Sequence, residues 1–163
     1  MDNLSTIAAM VFLHKKLRVE LEETKHLGMA LGLTNTAKAV EALQLPASSF
    51  TTVHVAGSNG KGTTCAMLCT ALTNQGVSNL LFSSPHLVRV EERIRLNGVP
   101  IHADVMNRAL EAVRRATSAN NITVTFFEVT FLASLVIANE AGVEMMILET
   151  GLGGRLDATR VSK

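Results

Sequence analysis

The chain has 163 residues, of which 47% are hydrophobic and 18% charged, enough for one domain with a buried core. Its net charge of +1 gives no electrostatic argument for binding nucleic acid or an anionic membrane. The longest apolar run, residues 129–138, is too short to span a bilayer. The only cysteines, Cys65 and Cys69, are one helical turn apart and cannot form a metal site alone. We therefore expect a cytoplasmic protein in which both thiols pack in the core.

The first 50 residues are predicted to be mainly helical. Apolar residues recur at helical spacing over residues 2–21, and a second helix is expected over residues 34–45, capped by Thr34 or Asn35. Residues 46–49 form a linker. We assign residues 1–50 to an N-terminal helical segment and residues 51–163 to an α/β domain.

The stretch TTVHVAGSNGKGTT, residues 51–64, is the most informative in the chain. It predicts a buried strand over residues 51–56, a glycine-rich turn and a helix over residues 63–75. Gly57, Gly60 and Gly62 permit positive φ and close approach of a ligand. A helix N-terminus attracts phosphate, and Lys61 adds a positive charge there. The hydroxyls of Thr63 and Thr64 are placed to contact a phosphate or its Mg²⁺.

This stretch departs from the nucleotide-binding pattern G-x-x-x-x-G-K-[ST]. Val55 stands where the first glycine belongs, and Gly62 is inserted between Lys61 and the hydroxyl residue. The departure makes a kinase or GTPase of the standard P-loop type the weakest hypothesis. A glycine-rich turn that binds nothing would explain the glycines but not the lysine among them.

The remaining elements alternate between strands and helices. The pattern predicts a strand over residues 77–82 and a hairpin over residues 93–101 with its turn at Asn97–Gly98. It next predicts a helix over residues 104–118 capped by Asp104. A second helix, over residues 125–140, opens with a Thr125/Glu128 capping box and is broken by Gly142, and a strand follows over residues 143–148.

This order favours an α/β fold with a mainly parallel sheet and flanking helices. Ligands of such sheets gather at the carboxyl ends of the strands. The three loops expected there are residues 57–61, 83–86 and 149–157, and they meet in one site if the three strands are neighbours in the sheet.

Glu149 is the strongest metal-ligand candidate, because a carboxylate at the end of an apolar strand needs a partner. It could bind Mg²⁺ beside Ser84, or it could pair with Arg155 or with the amides of residues 153–154. His86 is a candidate for phosphate or substrate contact. The capping box alone explains Glu128. The charged residues of the next segment are interpreted as a solvated face: Glu91, Glu92, Arg93 and Arg95.

Four segments together resemble, in order and spacing, the N-terminal part of the folylpolyglutamate synthases, and most closely the bifunctional dihydrofolate synthase/folylpolyglutamate synthases of the Mur ligase superfamily. They are HVAGSNGKGTT, FSSPHLVRVEERIRLNG, TFFE and ILETGLGGRLDAT. The resemblance implies a Mur-ligase-type P-loop domain and an ATP-dependent carbon–nitrogen ligase. Such an enzyme activates the carboxylate of dihydropteroate or a folate as an acyl phosphate, which L-glutamate then attacks.

The resemblance also implies site residues. Lys61 and Glu149 would be catalytic, and Ser84 and Glu149 would bind Mg²⁺. The ATP phosphates would contact Ser58, Asn59, Gly60, Lys61, Gly62 and Thr63. The pterin substrate would contact Ala30, Leu31, Gly32, Leu33, Thr125, Phe126, Phe127, Glu128, Leu156, Asp157 and Ala158.

Family members continue into a C-terminal ligase domain that completes the ATP and glutamate sites, and we expect this chain to be an N-terminal portion without that domain, inactive alone and monomeric when full length. Two alternatives stay open. One is a non-catalytic module that binds nucleotide or pterin, and the other is a Mur-type ligase for a different amino-acid or peptide substrate.

Overall fold

The computed structural model describes residues 33–45, 50–151 and 157–161. The predicted helix over residues 2–21 and the linker over residues 46–49 lie outside these ranges. The strands are β1 (Thr51–Val55), β2 (Asn79–Phe82), β3 (Ile94–Leu96), β4 (Val99–Pro100) and β5 (Met145–Glu149). The helices are α1 (Thr34–Ala42), α2 (Lys61–Asn74), α3 (Ala103–Ala119) and α4 (Phe126–Ala141), with short 3₁₀ segments at Val90–Arg93 and Ala158–Val161.

The five strands form one sheet in the order β1-β5-β2-β3-β4. Strand β5 is central among the three parallel strands, since Ile147 lies opposite Val53 of β1 and Leu81 of β2. Strands β3 and β4 extend the sheet antiparallel to β2 as the predicted hairpin. Asn97 and Gly98 have φ of 49° and 81°, as a type I′ turn requires. The predicted mainly parallel α/β fold is confirmed.

The sheet is covered on both faces. Side chains alternate along each strand, so Leu81 and Ile147 point to one face, where they pack with Cys65 and Cys69 of α2. The expectation that both cysteines are core residues is confirmed. Their neighbours on the strands point to the opposite face, where α3 and α4 build the larger core.

Helix α4 is apolar around most of its circumference and is almost entirely buried. The capping box at its N-terminus is confirmed, because the Thr125 hydroxyl accepts from the Glu128 N–H while the Glu128 carboxylate accepts from the Thr125 N–H. Gly142 ends the helix in the left-handed conformation, φ 59°. No helix among the described residues has both the length and the apolar character needed to cross a membrane.

Two predicted helix caps are wrong, one because of a tertiary contact and one because a neighbouring residue caps the helix. Helix α1 has Leu33 as its N-cap, and the Asn35 amide donates instead to the Thr123 carbonyl 3.0 Å away. Helix α3 is capped by His102, whose Nδ1 accepts from the Asp104 N–H. In each case the predicted capping residue lies inside the helix.

Strand β1 differs from the buried strand that its sequence predicts. It pairs with β5 and, within the described residues, has no neighbour on its other side. Thr51 is exposed and the rest of the strand is half-buried. A β-branched sequence indicates a strand but does not distinguish an edge from a centre.

Candidate active site

The carboxyl ends of β1, β5 and β2 lie side by side, and the loop after each strand opens at that edge. The parallel pairing continues past the end of β1, since the Thr150 N–H donates to the Val55 carbonyl 3.1 Å away. This register places the glycine loop directly beside the end of β5. The predicted convergence of the loops is therefore observed for the described residues.

The glycine loop turns into α2 at Gly60, which takes φ 75° and acts as the N-cap. A side chain would be strained there, so this glycine is required by the backbone. Helix α2 begins at Lys61, two residues earlier than predicted, and the Lys61 Nζ lies 3.0 Å from the Gly57 carbonyl oxygen. The lysine thus reaches back across the loop from the first turn of the helix. Ser58 and Asn59 are exposed beside it.

The two threonines in the first turn of α2 differ in what their hydroxyls contact. Thr63 is exposed and its hydroxyl is directed to no described partner. The Thr64 hydroxyl donates to the Gly60 carbonyl of its own helix, 3.0 Å away. A phosphate contact by Thr63 stays a prediction, whereas the Thr64 hydroxyl is bonded within the helix.

Gly62 is the residue of α2 that lies against Glu149. It is an ordinary helical residue, and a Cβ placed on it would lie 3.5 and 3.6 Å from the two Glu149 carboxylate oxygens, an ordinary contact distance. A longer side chain directed along that Cβ would meet the carboxylate. The residue inserted into the motif therefore faces Glu149 from the first turn of α2.

Glu149 joins the three loops. Its side chain is buried, and Oε2 accepts a hydrogen bond from the Ser84 backbone N–H 3.2 Å away. The same carboxylate lies against Gly62 at the positive end of α2, which favours a negative charge. The predicted partners in residues 153–155 lie outside the described residues.

This arrangement fits a Mg²⁺ ion shared with a nucleotide. Mg²⁺ takes one or two protein oxygens and completes its shell with water and phosphate. The Glu149 carboxylate offers such an oxygen, beside the Ser84 backbone whose N–H it accepts. The part of the chain that the structure describes holds no cluster of three or more His, Cys, Asp or Glu side chains that would bind a metal without other ligands.

Burial, and then the Glu149 charge, raise the pKa of the Cys65 thiol to about 11, so this neighbour of Glu149 remains a thiol.

The loop after β2 is held by Glu92. Its carboxylate accepts from the backbone N–H groups of Leu87, Val88 and Arg89 at 2.8–3.1 Å. These amides, Leu87 first, lower the pKa of Glu92 below its usual 4.5. Leu87 and Val88 themselves are exposed.

The charged segment that follows this loop is only partly a solvated face. Glu92 and Arg95 are half-buried, but Glu91 and Arg93 are buried, 3% and 8% exposed. The prediction was wrong for those two because the 3₁₀ segment Val90–Arg93 turns both side chains inward. A charge pattern in the sequence carries no signal of that turn.

Arg93 is the main site residue that sequence reasoning missed. Its Nε donates to His86 Nδ1 at 2.8 Å, and its guanidinium lies 4.9 Å from the centroid of the Phe126 ring. Within the described residues it makes no ion pair. Burial lowers the pKa of Arg93, although a guanidinium remains charged at neutral pH. A desolvated cation thus lies beside the second loop.

The N-terminus of α4 contacts the third loop. A Cβ on Gly151 would lie only 2.8 and 2.9 Å from carbons of the Phe127 ring, so that ring packs directly on the loop backbone. Asp157 closes the loop by accepting from the Gly151 N–H at 2.7 Å and from the Thr159 N–H at 3.0 Å. His54 was not among the predicted site residues. Its Nε2 lies 2.8 Å from the Thr159 carbonyl oxygen, so it ties β1 to this loop.

The predicted pterin residues are thus partly assembled. Helix α1 packs on α4 and on the 3₁₀ segment that starts at Ala158, which brings Leu33, the α4 N-terminus and Asp157 to one side of the sheet. Four of the predicted residues lie outside the described ranges: Ala30, Leu31, Gly32 and Leu156.

Comparison with known proteins agrees with this geometry. The chain is 38% identical over 149 residues to the dihydrofolate synthase/folylpolyglutamate synthase of Buchnera aphidicola subsp. Acyrthosiphon pisum, a match that covers 91% of the chain and 33% of the relative. It is 37% identical to the protein of that name from Haemophilus influenzae, over 86% of the chain and 32% of the relative. The chain is homologous to the dihydrofolate synthase/folylpolyglutamate synthases. It spans about one third of the length of the curated relatives it matches, and no family model matches it.

Solved structures of similar proteins share the fold. Escherichia coli FolC in complex with DHPP and ADP superposes with a TM-score of 0.80 at 36% identity, covering 89% of this chain and 35% of that one. A bifunctional folylpolyglutamate synthase/dihydrofolate synthase with Mn, AMPPNP and L-glutamate bound gives 0.79 at 36% identity, over 89% and 35%. Folylpolyglutamate synthase from Thermotoga maritima gives 0.82 at 30% identity, over 92% and 37%. The predicted resemblance and fold family are confirmed.

Proposed function

We propose that the chain forms the nucleotide-binding part of an ATP-dependent ligase that adds L-glutamate to dihydropteroate, to a folate, or to both. The observation that carries the proposal is the position of Glu149, between the Ser84 amide and the first turn of the helix that bears Lys61. Relatives with DHPP, ADP, AMPPNP, Mn and L-glutamate bound support the same assignment.

In this proposal the glycine loop binds the phosphates of ATP. The N–H groups at the start of α2 and the Lys61 ammonium would offset negative charge on the transferring phosphoryl group. The predicted contacts are the exposed residues Ser58 and Asn59 with Gly60. Bound Mg²⁺ would supply further charge neutralisation between phosphate oxygens, held by Glu149 and Ser84.

Arg93 extends the site toward the substrate. Arg93 is a buried cation with no ion pair among the described residues, which is costly, and an anionic ligand would compensate it. Its neighbours His86 and Phe126 fix the guanidinium in place from two sides. Arg93 would therefore face the acidic part of the substrate, while Thr125, Phe127 and the Asp157 loop form the wall on which the pterin lies.

The domain limits belong to the same proposal. Residues 51–163 would be the nucleotide-binding α/β unit and residues 1–50 a helical segment that packs on it through α1. We further propose a cytoplasmic enzyme that is monomeric when full length and uses no nucleic acid or membrane partner.

The nucleotide site is tested by calorimetric titration of the chain with MgATP. Lys61→Ala should weaken binding at least about tenfold, the size of one lost hydrogen bond to a charged group. Lys38→Ala, an exposed lysine of α1, is the matched control and should bind as the unaltered chain does. Equal affinity of the two variants would contradict the proposal.

The metal site has a separate test. Glu149→Gln keeps an acceptor for the Ser84 N–H but removes the charge, so it should abolish the gain in ADP affinity that Mg²⁺ gives and leave metal-free binding nearly unchanged. Glu140→Gln, an exposed carboxylate on α4, should keep the full gain.

A binding module without ligase activity is the second candidate. It needs only the nucleotide site that the described residues form around Lys61 and Glu149. Such a module would have the same nucleotide site as the ligase but would not catalyse the ligation. Release of ADP that depends on both dihydropteroate and L-glutamate, from the 163-residue chain alone, would exclude it.

A further inference from the structure

We infer that Glu128 is a positioning residue, whose buried carboxylate fixes the start of α4 so that Phe126 and Phe127 hold two of the three site loops. The sequence assigns Glu128 two roles, helix cap and substrate contact. The structure adds a hydrogen-bond partner that no local pattern predicts, the Thr36 hydroxyl of α1. Only the ligand-binding part of this inference rests on the proposed function.

The carboxylate is divided between two elements. Oε2 accepts from the N–H and the hydroxyl of Thr125, at 2.7 and 2.8 Å. Oε1 accepts from the hydroxyl of Thr36, on α1 and 92 residues earlier in the chain. Thr36 is 0% and Glu128 is 4% exposed, so these bonds form in a desolvated setting where a charge-assisted bond is strong. Both oxygens are thus bonded within the protein.

The residues that Glu128 fixes are those that contact the loops. Phe126 follows Thr125 directly, and its ring packs against the Arg93 guanidinium. Arg93 in turn accepts the Ser83 N–H on its backbone carbonyl at 2.8 Å, which fixes the start of the second loop. Phe127 packs on Gly151, the first residue of the third loop after Thr150.

The bond from α1 therefore reaches both loops through consecutive phenylalanines. A helix start held only by its own capping box could rotate or fray by part of a turn. Attaching that box to α1 through Thr36 removes this freedom. Glu128 would thus act on substrate binding without touching substrate.

The test compares Thr36→Val, which removes the donor but keeps the shape, with Thr36→Ser, which keeps the hydroxyl. Thr117→Val is the control, because Thr117 is also a buried threonine but donates to Val113 within its own helix. Amide hydrogen exchange of the ligand-free chain is followed at Ser83 and Gly151, with Ile147 of β5 as the internal reference.

We expect Thr36→Val to speed exchange at Ser83 and Gly151 about tenfold relative to Ile147, the effect of losing one bond to a charged group. Thr36→Ser and Thr117→Val should leave that ratio unchanged. An equal acceleration at all three amides would show a purely structural role and would overturn the inference. No acceleration would overturn it as well. Because Thr36→Val could fold poorly, Glu128→Gln is measured alongside, with the same expectation at a smaller amplitude.

Titration with dihydropteroate completes the test. Thr36→Val should bind dihydropteroate about tenfold more weakly, while its affinity for ADP without Mg²⁺ changes less than about twofold, because α2 lies on the other face of the sheet. A parallel loss of both ligands would contradict positioning. If the unaltered chain binds no dihydropteroate although exchange responds as expected, the proposed function fails and the positioning role stands.

Discussion

The two faces of the sheet are built for different tasks. On the face covered by α3 and α4, helix α4 buries residues along its whole length. The ring centroid of Phe82 lies 5.5 Å from that of Phe127 and 5.7 Å from that of Phe131. On the other face α2 buries only two cysteines, and Met67 at its centre is 68% exposed. Apolar burial is the main favourable term in folding, so the α4 face stabilises the domain. The α2 face instead presents the helix N-terminus that binds phosphate in our proposal.

The largest expected effect breaks the α4 face. Phe131→Ala removes a ring that is 0% exposed and should lower the free energy of unfolding by about 3–5 kcal/mol. The matched change on the α2 face, Met67→Ala, should shift it by less than about 0.5 kcal/mol. Urea unfolding followed by circular dichroism at 222 nm measures both. Similar losses in the two variants would show that the faces do not differ as described.

A smaller change separates binding from stability on the α2 face. Gly62→Leu places a side chain against the Glu149 carboxylate and should reduce MgATP affinity by at least about tenfold. Gly62→Ala adds only a Cβ at ordinary contact distance, 3.5 Å, and should bind nearly normally. Calorimetric titration distinguishes them. Normal binding by Gly62→Leu would mean that Glu149 does not act in the nucleotide site.

Arg93 sharpens the comparison because it is a polar residue on the stabilising face. Arg93→Met keeps most of the volume and removes a buried charge, so unfolding free energy should stay within about 1 kcal/mol or rise. Affinity for dihydropteroate should fall about tenfold if the guanidinium faces its carboxylate. A stable variant with unchanged affinity would assign Arg93 to structure alone.

The smallest effect concerns the second loop and pH. The folded-state pKa of Glu92 is lowered, so its contribution is fully present above the ordinary value of 4.5 and is lost as pH falls through the folded value. Amide exchange at Leu87 and Val88, corrected for the intrinsic pH dependence, should therefore rise on acidification. Glu92→Gln should show faster exchange already at neutral pH and no such step.

Local sequence was enough for elements whose structure depends on adjacent residues. The Asn97–Gly98 turn, the Thr125/Glu128 box and the Gly142 stop are confirmed because each rests on φ preferences or bonds within one helical turn. The predicted Asn35 cap failed for the opposite reason. Asn35 bonds to Thr123, which is 88 residues away and invisible to a local pattern.

By itself the sequence determined the α/β class with a mainly parallel sheet and, once the three strands are neighbours, the meeting of their loops at one edge. Those follow from alternating periodicity and from glycines that only a tight turn accommodates. The tertiary structure decided that β1 is an edge strand, that Arg93 is buried and that Glu128 bonds to Thr36. These three features depend on contacts between segments that are far apart in the sequence. Whether a charged side chain is buried is decided by those contacts and not by the residue type.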